Sequence, residues 1–163
     1  MEKLIMLLVV FLPVFAGPLI PLLPFGSRKH LMWYVEGVTI LFVLWMLIIR
    51  PEESLILVQF TKTMALSFKL DGLGMVFAGM VAFLWPLAIL YSFEYMKHEG
   101  HERVFFMFYT ITYGITLGVA LAGDLVTMYI FFEMLSLVTL PLVMHTLTRE
   151  AIHASRTYFF YMI

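Results

Sequence analysis

Residues 125–147 read LVTMYIFFEMLSLVTLPLVMHTL, a nearly continuous apolar run that carries a single acid, Glu133. About 20 such residues cross a hydrocarbon core as a helix. No basic residue lies within the run. An ionised carboxylate at that depth costs about 2.5–3.5 kcal/mol on insertion scales for comparable groups. Glu133 is therefore expected to be neutral, partnered by another helix, or in contact with water. A carboxyl placed this way is by default part of a proton or ion path. The alternative is a protonated side chain that only hydrogen-bonds a neighbouring helix.

Helical spacing sets Tyr129 four residues before Glu133 and Ser136 three after it, on one stripe. Pro141 removes a backbone donor and leaves the Leu137 carbonyl without its usual partner. Inside a membrane such a carbonyl is tolerated where a helix, a hydroxyl or water takes it up. Both features point to a protein-facing or water-facing side of the helix.

The whole chain fits that environment. Of its 163 residues 63% are hydrophobic and 13% charged, whereas soluble domains hold about 45–50% apolar and about 25% charged residues. This is an all-α integral membrane composition. The net charge of −1 and the lack of any basic run give no footing for nucleic acid. The absence of cysteine excludes disulfides and thiolate metal sites.

Working outward, four further uncharged or nearly uncharged runs are expected to span: residues 4–25, 31–49, 72–95 and 104–123. The fifth span is 125–147, and a sixth run starts at 152–163 and stops. The first run follows Lys3, is too long for an ordinary signal core and lacks a small-residue cleavage site. Pro13, Pro18, Pro21 and Pro24 should kink or unwind its second half. Glu36 lies about six residues into the second run and is expected to be interfacial or packed rather than ion-carrying. Residues 50–71 are more polar. Short β-prone runs flank Thr61–Lys62–Thr63 and suggest an extramembrane hairpin.

His98 and His101 occupy a short charged loop, and no ordered ligand set accompanies them, so surface histidines are expected and no metal or cofactor. Gly114 and Gly118 are spaced for close helix contact. The short turn at Gly123–Asp124 makes the fourth and fifth helices antiparallel neighbours. With five spans, Lys3, Arg50, Lys62 and Lys69 fall on the N-terminal side. Arg28, Lys29, Lys97, Arg103, Arg149 and Arg156 fall on the other. That bias puts the N-terminus outside the cell (inner) membrane.

Four short stretches in register, and a fifth that follows them, carry a resemblance. Lys69-Leu-Asp-Gly-Leu-Gly74 opens the third span and Tyr91-Ser-Phe-Glu-Tyr-Met96 closes it. Leu121-Ala-Gly-Asp-Leu125 joins the fourth to the fifth, and Phe131-Phe-Glu-Met-Leu-Ser136 surrounds the acid. His153-Ala-Ser-Arg-Thr-Tyr158 follows. Together they resemble the antiporter-like membrane subunits: the proton-pumping subunits of respiratory complex I, the large subunits of Mrp-type sodium/proton antiporters, and the membrane arms of energy-converting hydrogenases.

The resemblance implies the N-terminal portion of a fourteen-helix subunit built from two inverted five-helix repeats, with an external β-hairpin after the second helix. It further implies that the acid at Glu133 works with a lysine on a seventh helix, so that changes in their pairing shift the lysine's pKa and gate proton transfer. The chain ends before any seventh helix, which makes a fragment or a split subunit the expectation.

Two roles compete. In the first, the chain is part of a subunit that moves protons or sodium ions within a multisubunit membrane complex. Glu133 exchanges the proton or pairs with the ion, Tyr129 and Ser136 line the path, and Arg156 sets the acid's potential. In the second, it is a structural subunit that only packs against its partners and the lipid. An integral-membrane enzyme finds no support in a nucleophile–base set, metal spacing or phosphate loop, although a place in the membrane arm of a quinone-reducing or hydrogenase complex stays open.

Overall fold

A computed structural model describes residues 2–46, 54–61, 64–98, 100–145 and 148–162. The chain is mostly helical, at 77%. In order the elements are α1 (Glu2–Leu22), α2 (Arg28–Met46), β1 (Ser54–Gln59), β2 (Ala65–Lys69), α3 (Gly72–Tyr95), α4 (Glu102–Ala120), α5 (Leu125–Val143) and α6 (Arg149–Met162). Among the described residues α3, α4 and α5 are long and apolar enough to cross a membrane, and α1 holds a shorter apolar stretch, Met6–Leu22. The ends of the second and fifth expected spans, at residues 47–49 and 146–147, lie outside the described residues.

Of the two outcomes expected for the first helix, kinked or unwound, unwinding does not occur up to Leu22: it runs as helix through Pro13, Pro18 and Pro21 and stops before Pro24. Each proline removes one donor from the ladder and leaves the remaining bonds in place. Lateral packing makes up the difference, because α1 lies along nearly the whole length of α4. Two glycines allow that approach. A Cβ on Gly114 would sit 2.6 Å from the Val10 carbonyl oxygen, and one on Gly17 would sit 2.5 Å from Ile111 Cγ1. The Gly114–Gly118 spacing is thus used inside the chain, against α1 and, at Gly118, against the Phe131 ring of α5.

α4 is the central helix, with α1, α5, α3 and α2 packed around it. Two apolar clusters form its surroundings. One joins Met6, Val10, Ala78, Tyr113, Leu117 and Phe131, and the other joins Ile20, Val35, Ile89, Phe93 and Phe106. The Phe93 and Phe106 rings stack with centroids 3.9 Å apart.

The hairpin is present, with β1 and β2 antiparallel and an irregularity between Ile56 and Val58. Lys62 and Thr63 of its expected turn lie outside the described residues. A lone two-stranded ribbon is marginally stable, and this one is anchored. Phe68 is fully buried, its ring 5.4 Å from Phe131 and 6.5 Å from Phe11. The Lys69 N–H donates to the Leu121 carbonyl and the Gly123 N–H to the Ser67 carbonyl, each at 2.8 Å. β2 is therefore laced to the α4–α5 turn.

The two ends of the bundle differ. The hairpin, Asp71 and the α4–α5 turn share one end. At the other, Arg28 pairs with Glu102 at 2.7 Å and also donates to the Phe93 carbonyl, while Lys97 pairs with Glu94.

Candidate ion-path residues

Asp124 fixes where α5 begins. Its backbone is extended, with φ −150° and ψ 165°, and its carboxylate accepts from the Thr127 N–H at 2.8 Å, which satisfies one of the orphan donors of the first turn. Ser67 Oγ donates to the same carboxylate at 2.5 Å, and Thr127 Oγ1 at 3.0 Å. Partial burial by itself would raise the Asp124 pKa; the hydrogen bonds outweigh it and hold the carboxyl below its ordinary value. Asp71 starts α3 in the same manner, accepting from the Gly74 N–H at 2.7 Å. A Cβ on Gly74 would sit 2.5 Å from the Ala120 carbonyl oxygen, so glycine there lets α3 meet the end of α4.

From that fixed start Glu133 sits about 13 Å along the α5 axis. It is half-buried, and among the described residues no hydrogen bond or ion pair is made to its carboxyl. α5 meets α4 through Phe131, whose ring lies against Gly118, and meets α6 where Thr139 Oγ1 lies 3.0 Å from the Tyr158 hydroxyl. Along the Glu133 stripe exposure falls from Tyr129, at 63%, through Glu133 to Ser136, at 4%. The Ser136 hydroxyl is used locally, donating to the Phe132 carbonyl at 3.2 Å. Arg156 is exposed on α6, in a groove lined by Leu140, Met144, Ile152 and Phe159, and forms no ion pair with Glu133. The structure thus places Tyr129, Glu133 and Ser136 on adjacent turns of one helix and puts Arg156 in a separate groove.

Glu36, expected to be interfacial or packed, is packed: it is only 6% exposed. Thr39 Oγ1 lies 3.5 Å from Glu36 Oε2, and Tyr113 donates its hydroxyl proton to the Thr39 carbonyl at 3.3 Å. The signal available in the sequence was Thr39 one turn after Glu36, together with the hydroxyl-rich fourth helix. Only the tertiary packing brings the two together. His98 is exposed, and His101, with a left-handed φ of 64°, sits at the N-cap of α4.

Comparison with known proteins agrees with this layout. A family model described as NADH-Ubiquinone oxidoreductase (complex I), chain 5 N-terminus, matches residues 59–106. The Na(+)/H(+) antiporter subunit A1 of Staphylococcus aureus is 30% identical over 150 residues, covering 87% of this chain and 19% of that protein. The same subunit from S. aureus strain JH9 matches with the same identity and coverage. A chain in the structure of the membrane-bound sulfane sulfur reductase, an archaeal respiratory membrane complex, aligns with a TM-score of 0.72. It covers 95% of this chain and 33% of that one at 17% identity, a likeness of fold. Together these findings liken the chain to the antiporter-like membrane subunits. The chain spans about a fifth of the length of the curated relatives it matches, 19%.

Proposed function

We propose that this chain is part of a cation- or proton-translocating membrane subunit, and that Glu133 is its proton-exchanging or ion-pairing group. The carrying observation is the 30% identity over 150 residues to an Na(+)/H(+) antiporter subunit. The location of Glu133 inside an apolar helix of spanning length adds to it: the acid is half-buried and without a partner among the described residues. A carboxyl in that position is costly unless a cation, a proton or water meets it, and each of those is what a transport path supplies.

In this proposal α1 to α5 all cross the cell (inner) membrane, the N-terminus and the hairpin lie outside, and 1–163 is one membrane domain. Other integral-membrane subunits cover its apolar faces where lipid does not. Tyr129 and Ser136 flank the path, and Arg156 acts on the acid's potential from a distance. The test is Glu133→Gln in the complete assembly. Coupled proton or sodium movement should be lost while the complex still forms. Normal transport by an assembled variant would end the proposal.

A further inference from the structure

Glu36 stands apart from the Glu133 stripe, on another helix and in drier surroundings. Phe42 holds α2 edge-on to Tyr113 at 6.1 Å, and Val35 lies in the apolar cluster of Ile89, Phe93 and Phe106. Between those two anchors Glu36 is 6% exposed. Its Oε1 has no partner among the described residues. Its Oε2 has only Thr39 Oγ1 at 3.5 Å, a hydroxyl that already meets the Glu36 backbone carbonyl at 3.0 Å. A second orphan belongs to α3: the Trp85 indole Nε1 is buried and has no acceptor among the described residues. The Trp85 ring packs on Tyr113 at 5.4 Å and on Tyr109 at 5.1 Å, and Tyr113 reaches Thr39. The two orphans therefore belong to one cluster of α2, α3 and α4.

The charges around this cluster are as informative as the hydrogen bonds. Lys and Arg of α2 sit at its start, where Arg28 is committed to Glu102. α3 carries no charge from Gly72 to Phe93, α4 none from Val104 to Ala120, and α1 none from Leu4 to Leu22. The titratable groups facing the cluster from these elements are the phenols of Tyr109 and Tyr113, with Tyr34 on α2 itself donating to the Ala16 carbonyl. Among the described residues no cation pairs with Glu36. A buried carboxyl without one must keep a proton or be hydrated. An indole N–H can only donate, and a carboxyl oxygen can accept. One internal water needs two to four such polar partners.

We propose that Glu36 is a second intramembrane proton-binding group, separate from Glu133, whose free oxygen and the Trp85 N–H together hold internal water. The proton passes between the carboxyl oxygen and that water, with Thr39 and Tyr113 forming the polar wall. This role does not depend on the function assigned to Glu133.

The test is infrared difference spectroscopy of the full subunit in its assembled complex, titrated with pH in H2O and D2O. A carboxyl C=O band should shift on deuteration, disappear in Glu36→Gln and persist in Glu133→Gln. In Trp85→Phe the same band should remain but move in frequency, because a donor to the site has gone. A spectrum unchanged by Glu36→Gln, or a Glu36 band that never exchanges with deuterium, would overturn the proposal. If Glu36→Gln does not assemble, Trp85→Phe decides alone. A displaced carboxyl band supports the site, and an unmoved one refutes it.

Discussion

Asp124 shows how one side chain can tie three elements together. It caps α5, accepts from Ser67 of the hairpin, and stands at the end of the turn that leads out of α4. Replacing it with alanine removes the cap and should cost about 1–2 kcal/mol, equivalent to a fall of roughly 2–4 °C per kcal/mol in a chain of this size. Thermal unfolding of the detergent-solubilised complex, followed by circular dichroism, checks this. The pH dependence has a definite sign. The folded Asp124 pKa is lowered, because its hydrogen bonds outweigh burial. Between the folded and unfolded values the unfolded chain binds more protons. The contribution is therefore complete above the unfolded value of about 3.9 and is lost as pH falls through the lower folded one. In Asp124→Ala the midpoint should lose that part of its acid sensitivity. An identical acid profile in the variant would contradict it.

At the same scale Glu133 and Glu36 show what a sequence conveys about buried acids. The place of Glu133 within an apolar helix was legible because a charge inside a long apolar run is conspicuous whatever packs against it. For Glu36 the sequence left two outcomes open, interfacial or packed, because it lies close to a run's end. Its fate was decided by Phe42 and Val35 turning that face of α2 inward, which is a tertiary fact.

Among the elements, the helices and the hairpin followed from hydropathy and alternation, since α3, α4, α5 and the β1–β2 pair fall where those patterns put them. The docking of the hairpin on the α4–α5 turn did not, because backbone bonds between Lys69 and Leu121 leave no mark in side-chain pattern. Nor did the persistence of α1 through three prolines, which depends on the partner helix α4. The glycines test that dependence. Gly114→Leu should drive α1 from α4 and abolish recovery of folded protein, since even a Cβ would meet the Val10 carbonyl oxygen at 2.6 Å. Gly79→Ala on α3 meets nothing within 4 Å and should be neutral or stabilising by up to about 1 kcal/mol. Yield and thermal midpoint of the two variants in parallel give the comparison. Equal tolerance of both would show that α1 and α4 are not in close contact.

For the molecule as a whole, the two ends of the bundle carry different chemistry, and the proposed topology assigns them to opposite sides of a membrane. The chain has no cysteine, so single introduced cysteines report without background. Gln59→Cys in the hairpin should react with an impermeant thiol reagent added to intact cells. His98→Cys at the other end should react only in inverted vesicles. Both labelling from one side would contradict five crossings with the hairpin outside.

The central claim is that the acid within α5 handles protons or cations. The most direct measurement is sodium-driven proton movement in inverted membrane vesicles that contain the complete assembly with Glu133→Gln. Coupled movement should fall by about a hundredfold, the low end of what a positioned proton-transfer group contributes, with the complex intact on a native gel. Wild-type rates from an intact complex would contradict the account.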